Sequence, residues 1–166
     1  LTTDQIRSFT SAGVASLGTG QLKALSEAQV TALTSDQFIA LRTQQIGALS
    51  GDQLMAIESD DFATLSGEQL RAIPANRISF LTVPQFVALR TDSLGAFSPA
   101  QIAGLSVEQF TSFGSAQIAA FATAQISSLS SVSIAGMSSD QLLAIEYSDI
   151  TALSTAQVRV LSGEQV

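Results

Sequence analysis

The side chains able to do chemistry are few in kind: fourteen carboxylates, seven Lys and Arg, many Ser and Thr hydroxyls and a recurrent glutamine, with no Cys and no His. That composition removes disulfides, zinc clusters, thiol nucleophiles and imidazole bases. The serines have no His beside them and no evident Lys base, and the carboxylates recur along the chain without forming one singular acid/base pair. The expectation is therefore a protein that is not an enzyme, with no catalytic residues, no cofactor-binding residues, no metal site and no cofactor. Glu58, Asp60 and Asp61 form the densest acidic cluster and the one grouping a Ca²⁺ ion could use. They lack the glycine-spaced Asp pattern of calcium loops and nonapeptide calcium repeats, so they read as charge at a helix start. The glutamines could form a ligand ladder or cap helices, and their spacing favours caps. An ice-binding face would need a regular flat Thr array; here the hydroxyls shift between Ser and Thr and between two positions.

What positions these residues is an octad. With Leu1 as position 1, all 21 position-1 residues and all 21 position-6 residues, from Ile6 to Val166, are apolar, and no insertion breaks the register. Position 5 is Gln in 15 of 21 octads, position 2 is Ser or Thr in 13, and position 8 is small in 18 of 20, with Phe80 and Val160 the exceptions. In the octad that opens at Leu25, Ser26 and Gln29 stand as a capping box, and Leu25 and Val30 as its hydrophobic staple. Where position 2 is Gly18, Arg42, Glu58, Arg90, Gly114 or Ala122, a hydroxyl follows at position 3, which predicts that the cap moves by one residue. Pro74 and Glu146 have no such substitute.

Three distributions choose helix over a β-coil. All 14 acidic residues fall at positions 2 to 5, where carboxylates complement the positive end of a helix dipole. Arg7, Lys23, Arg71 and Arg159 fall at position 7, in the last turn. Pro74, Pro84 and Pro99 fall at positions 2, 4 and 3, where a missing N–H is tolerated. One continuous helix is excluded, because eight residues in two turns would require about 4.0 residues per turn against 3.6. The spacing predicts a helix over positions 3 to 8 with a corner at positions 1 and 2. Helices this short are marginal alone, so stability must come from stacking. The expected fold is all-α: an elongated solenoid or superhelix of very short capped helices, one per octad, with positions 1, 6 and 8 inside, and residues 1–166 forming a single array.

An alternation at position 2 between Arg42 and Ser98, with Asp61, Arg77 and Ser93 at 16-residue intervals in position 5, suggests that octads pair into a 16-residue repeat. The aromatic residues crowd the middle of the chain, Phe80, Phe86, Phe97, Phe110, Phe113 and Phe121 among them, mostly at core positions. Phe80 at position 8, between Pro74 and Pro84, marks the place for an irregularity and a partner contact.

The net charge of −7 argues against nucleic acid as a partner and against an anionic membrane surface. Although the mean hydropathy is +0.35, polar residues interrupt every octad, so no membrane insertion is expected. No signal peptide is visible, and the chain reads as an excerpt of a longer array. The units LTSDQFIAL, LSGDQLMAI and LSTAQVRVL resemble the LTxxQIxAL-type arrays of large repetitive bacterial surface or secreted proteins. That resemblance implies an extracellular or cell-surface location and a structural or adhesive role. The units also resemble the opening helix of TAL-effector DNA-binding repeats, but these octads have neither the second helix and base-reading loop nor the basic charge. The reading is a structural or spacer segment that self-associates into a fibre or sheath through a neutral Ser/Thr/Gln surface. Its alternative is a solenoid module that binds a protein or glycan partner.

Overall fold

A computed structural model of the chain describes residues 1–163 and 165; the expectations for Glu164 and for Val166, the last position-6 residue, lie outside the described residues. Among those described there are nineteen α-helices of four to six residues, one 3-10 helix and no strand. Every one begins at position 3 of its octad, as at Thr3, Ser35, Val83 and Thr155. The corner is made by two extended residues in succession: Leu41 at φ −62°, ψ 135° is followed by Arg42 at φ −75°, ψ 155°. No described residue has positive φ. The helices thus end without the left-handed glycine that many helices use, and an apolar side chain can occupy every corner and enter the core.

The helices stack with a period of three octads. Thr3–Arg7 packs on Glu27–Thr31, Ser11–Ser16 on Ser35–Ala40, Thr43–Ile46 on Gly67–Ala72, and Ser131–Ala135 on Thr155–Val158. This corrects the 16-residue pairing: the helices in contact are three octads apart, and the alternation at position 2 lies on a mostly exposed face. The buried core is built from positions 1 and 6, and Phe38, Phe62, Phe86 and Phe110 are its largest fully buried side chains. These four recur every 24 residues, once per three octads, so they form one column along the stack. Beside it, Phe113 lies 5.6 Å from Phe86, 6.0 Å from Phe110 and 5.2 Å from Phe121 by ring centroids, edge-on in each case, which is the favoured aromatic geometry.

Position 8 is a second correction. Only Ala32 and Ala48 are buried there, and most of the others are half-buried. The third inward position is instead position 5, where Gln37, Gln45, Gln53, Gln69, Gln85, Gln101, Gln109, Gln125, Gln141 and Gln157 are buried. The irregularity expected near Phe80 is present: Ala75–Phe80 is the 3-10 helix, in the octad that lacks a cap hydroxyl, a glutamine and a small position 8 all at once. The Phe80 ring, 45% exposed, lies over Gly51, where an added Cβ would come within 2.4 Å of its Cγ.

Candidate functional site: the glutamine ladder

The recurrent glutamine is placed by the helix start it helps to form. In the octad 49–56, Gln53 N–H donates to Ser50 Oγ (3.1 Å) and Ser50 N–H donates to Gln53 Oε1 (3.0 Å), a complete capping box. Its Nε2 is then free to donate elsewhere, and it donates to the carbonyls of Leu22 (2.9 Å) and Leu25 (2.8 Å), which end a helix one superhelical turn earlier. Gln85 does the same to Leu54 (2.8 Å) and Ile57 (2.7 Å), Gln101 to Leu70 (2.8 Å) and Ile73 (2.7 Å), and Gln125 to Leu94 (2.9 Å) and Phe97 (2.7 Å). Each rung spans 28 to 31 residues of chain. One carboxamide therefore satisfies a helix start with its acceptor and a helix end with its donors, at the two places where backbone groups are otherwise orphaned. Capping is confirmed as the local role of the series; the tie between turns is the role that sequence reasoning missed.

The exceptions at position 5 follow the same accounting. Arg77 has donors and no acceptor. Its Nη1 donates to the carbonyls of Gly47 (3.0 Å) and Leu49, and the N-cap of its octad is Pro74, which has no N–H to be capped. That is the account of Pro74 that the sequence left open. Asp61 and Asp149 have acceptors and no donor, and each takes a hydroxyl from three octads earlier: Ser35 Oγ donates to Asp61 (2.5 Å) and Thr123 Oγ1 donates to Asp149 (2.6 Å). Asp61 is thus bound into the stack, apart from any joint site with Glu58, the N-cap of its helix, and Asp60 in the first turn. Glu146, like Glu58, caps with no side-chain hydrogen bond. Ser93 and Ser133 are buried at position 5 and too short to bridge; Ser93 Oγ donates to Asp92 (3.2 Å) and Ser133 Oγ lies 2.8 Å from Ser130 Oγ.

The expected shift of the cap to position 3 does not occur. Gly18, Arg42, Glu58, Arg90, Gly114 and Ala122 remain the N-caps, without side-chain cap bonds. Four of these octads keep the other half of the box, with Gly18 N–H donating to Gln21 Oε1 (2.7 Å), and Arg42, Gly114 and Ala122 donating likewise. A position-3 hydroxyl sits inside the helix rather than before it, and Ser35, Ser115 and Thr123 use theirs across the stack. The one ion pair among the described residues, Arg90 Nε to Asp92 Oδ1 at 3.1 Å, is exposed on both sides. The hydrogen bond from Arg90 holds the Asp92 carboxyl below its usual range. In water such a pair contributes little to stability.

Comparison with known families matches residues 14–43 and 86–123 to the ALTTAQ repeat. The chain is a short-repeat array of this kind. Both matched stretches run from position 6 of one octad to position 3 of another, and the six letters of the repeat's description fall on positions 8, 1, 2, 3, 4 and 5, the sixth being the ladder glutamine. Residues 152–157, ALSTAQ, differ from that string at one place. No curated protein matches the chain.

Proposed function

We propose that this ALTTAQ-type array is a structural or spacer segment of an extracellular or cell-surface protein, that it is not an enzyme, and that it self-associates side by side into a fibre or sheath. The observation that carries this reading is the ladder. The glutamine of position 5 is buried in most octads and hydrogen-bonded turn to turn, so its chemistry is used in holding the stack together. What faces water is mostly uncharged: positions 2 and 4 are almost all exposed among the described residues, and although they carry eleven of the fourteen carboxylates, only 13% of the chain is charged. A low-charge polar skin permits lateral packing with little electrostatic penalty. Electron microscopy and sedimentation of the purified chain across concentration test it. Laterally joined bundles that persist in high salt are expected; a chain that stays monomeric at millimolar concentration sinks the self-association.

One observation favours a binding module instead. Position 7 is mostly exposed and carries Ile39, Met55, Val87 and Leu143, the last of them 84% exposed. A protein or glycan partner would use that face, and polar substitution of Ile39 and Leu143 would then abolish binding without altering association.

A further inference from the structure

Taking every third octad, the helices form three columns along the stack. One runs through Ser35–Ala40, Ser59–Phe62, Val83–Ala88 and Val107–Thr111. Another runs through Thr19–Lys23, Thr43–Ile46 and Gly67–Ala72 and on to Thr91–Leu94, where Arg71 Nε donates to the Ala96 carbonyl (3.0 Å). Charge is sorted between these two. The first exposes Asp36, Glu58, Asp60 and Glu108, and no Lys or Arg stands in its octads before Arg159. The second exposes Lys23, Arg42, Arg71 and Arg90, one in each of four successive turns and four of the seven bases of the chain. Its acids over those turns are Glu68 and Asp92, and Asp92 is already paired with Arg90 (3.1 Å). The third column mixes Asp4, Glu27 and Asp52 with Arg7 and Arg77. Apolar exposure is sorted as well: Ile39, Val87 and Val132 stand on the acidic column, while the basic one exposes Leu143 as its single large apolar side chain among the described residues. Caps, ladder and core recur in all three columns, so the fold itself does not call for this sorting.

We propose that the acidic flank packs against the basic flank of a second copy of this chain. The occupant is identified by charge complementarity and by the apolar side chains that go with it. Asp36 and Ile39, three residues apart, are neighbours on their helix. A Lys or Arg laid across them covers the apolar side chain with its stem and brings its head to the carboxylate. Exposed pairs are individually weak, so the neutral skin supplies the adhesion, and the charges choose which flanks meet and in what register. The contact joins unlike surfaces, so a dimer leaves one flank of each kind free and association continues beyond it. The proposal rests on the reading of the chain as a self-associating array, and names the two flanks through which it associates.

The test uses two charge-reversed variants of the 166-residue chain. Asp36→Lys with Asp60→Lys and Glu108→Lys makes both flanks basic. Lys23→Glu with Arg90→Glu makes both acidic; Arg90 is an N-cap, and Glu58 and Glu146 already stand at that position. Arg42 and Arg71, which donate to carbonyls of neighbouring turns, are left in place. Circular dichroism first checks that both variants keep the parent's helical signal. Should a reversal unfold the chain, the neutral set Asp36→Asn, Asp60→Asn and Glu108→Gln takes its place and should weaken association in the same direction. Sedimentation is run at about 0.01 M salt, where the Debye length is about 30 Å. Each variant alone should associate at least tenfold more weakly than the parent. Mixed one to one, the two should recover the parent's association, because each then meets a flank of opposite sign. At about 1 M salt, where the Debye length falls to about 3 Å, the variants should associate as the parent does. If the variants match the parent at low salt, or stay weak when mixed, the pairing of these flanks is overturned while side-by-side association stands. A parent that stays monomeric overturns both.

Discussion

At position 5 the choice of glutamine over glutamate separates capping from bridging. A capping box is satisfied by either residue, yet among 21 position-5 residues 15 are Gln and none is Glu. The difference is the donor on Nε2, which the cap does not need and the preceding turn does. Gln85→Glu isolates it: the cap acceptor remains, but the carbonyls of Leu54 and Ile57 lose their donor and face a carboxylate. The expected cost is about 2–5 kcal/mol at pH 7, the range for a buried charge without its partner. Those carbonyls favour the protonated acid, so the introduced group titrates at a higher pH folded than unfolded. The folded variant then binds a proton as pH falls, and the penalty relative to the parent should shrink through the carboxylate range, when the acid regains one O–H donor. Urea unfolding of both proteins at several pH values measures this; a pH-independent difference would rule out a donor role.

Each helix is a local object, and its caps belong to this scale. Thr82 is an N-cap whose hydroxyl accepts from Gln85 N–H (3.4 Å), whereas Thr91, at position 3, stands one residue inside its helix behind the uncapped Arg90. Thr82→Ala should cost about 1 kcal/mol, and Thr91→Ala less than about 0.5 kcal/mol, as for an ordinary surface site. The urea midpoints of the two variants compare them directly, and equal losses would mean that the hydroxyl can cap from either position. Helix type, octad boundaries and the capping half of the glutamine's work were legible in the sequence because they are set within eight residues. The tie between turns was not, since its acceptors lie 28 to 31 residues back and are brought near only by the pitch of the superhelix. The nearest readable traces were the absence of Glu at position 5 and the spacing of Phe38, Phe62, Phe86 and Phe110; the alternation at position 2 pointed to pairing because it was read on a mostly exposed face that does not set the stacking of the helices.

For the whole molecule, hydrogen bonding has a period of one octad while side-chain packing has a period of three. Most octads offer the same cap and nearly the same rung, so the ladder can largely re-form after any whole number of octads is removed. The phenylalanine column cannot, because Phe62, Phe86 and Phe110 fall at equivalent places in successive turns only when 24 residues separate them. Deleting residues 81–104 removes a full period and brings Phe110 to the place of Phe86, leaving the column continuous. Deleting residues 89–96 removes a single octad, one whose position 5 is Ser93 and which therefore contributes no glutamine rung. It leaves only 16 residues between Phe86 and Phe110 and sets large side chains against spaces built for Leu and Ile. Such mismatches cost about 1–3 kcal/mol each, by overpacking at one site and cavities at another. The shorter deletion is thus expected to lower the thermal midpoint more than the longer one, with similar helical ellipticity per residue in both. If midpoints instead fall in proportion to the number of residues removed, the core has no period beyond the octad, and the ladder alone sets the stability of the stack.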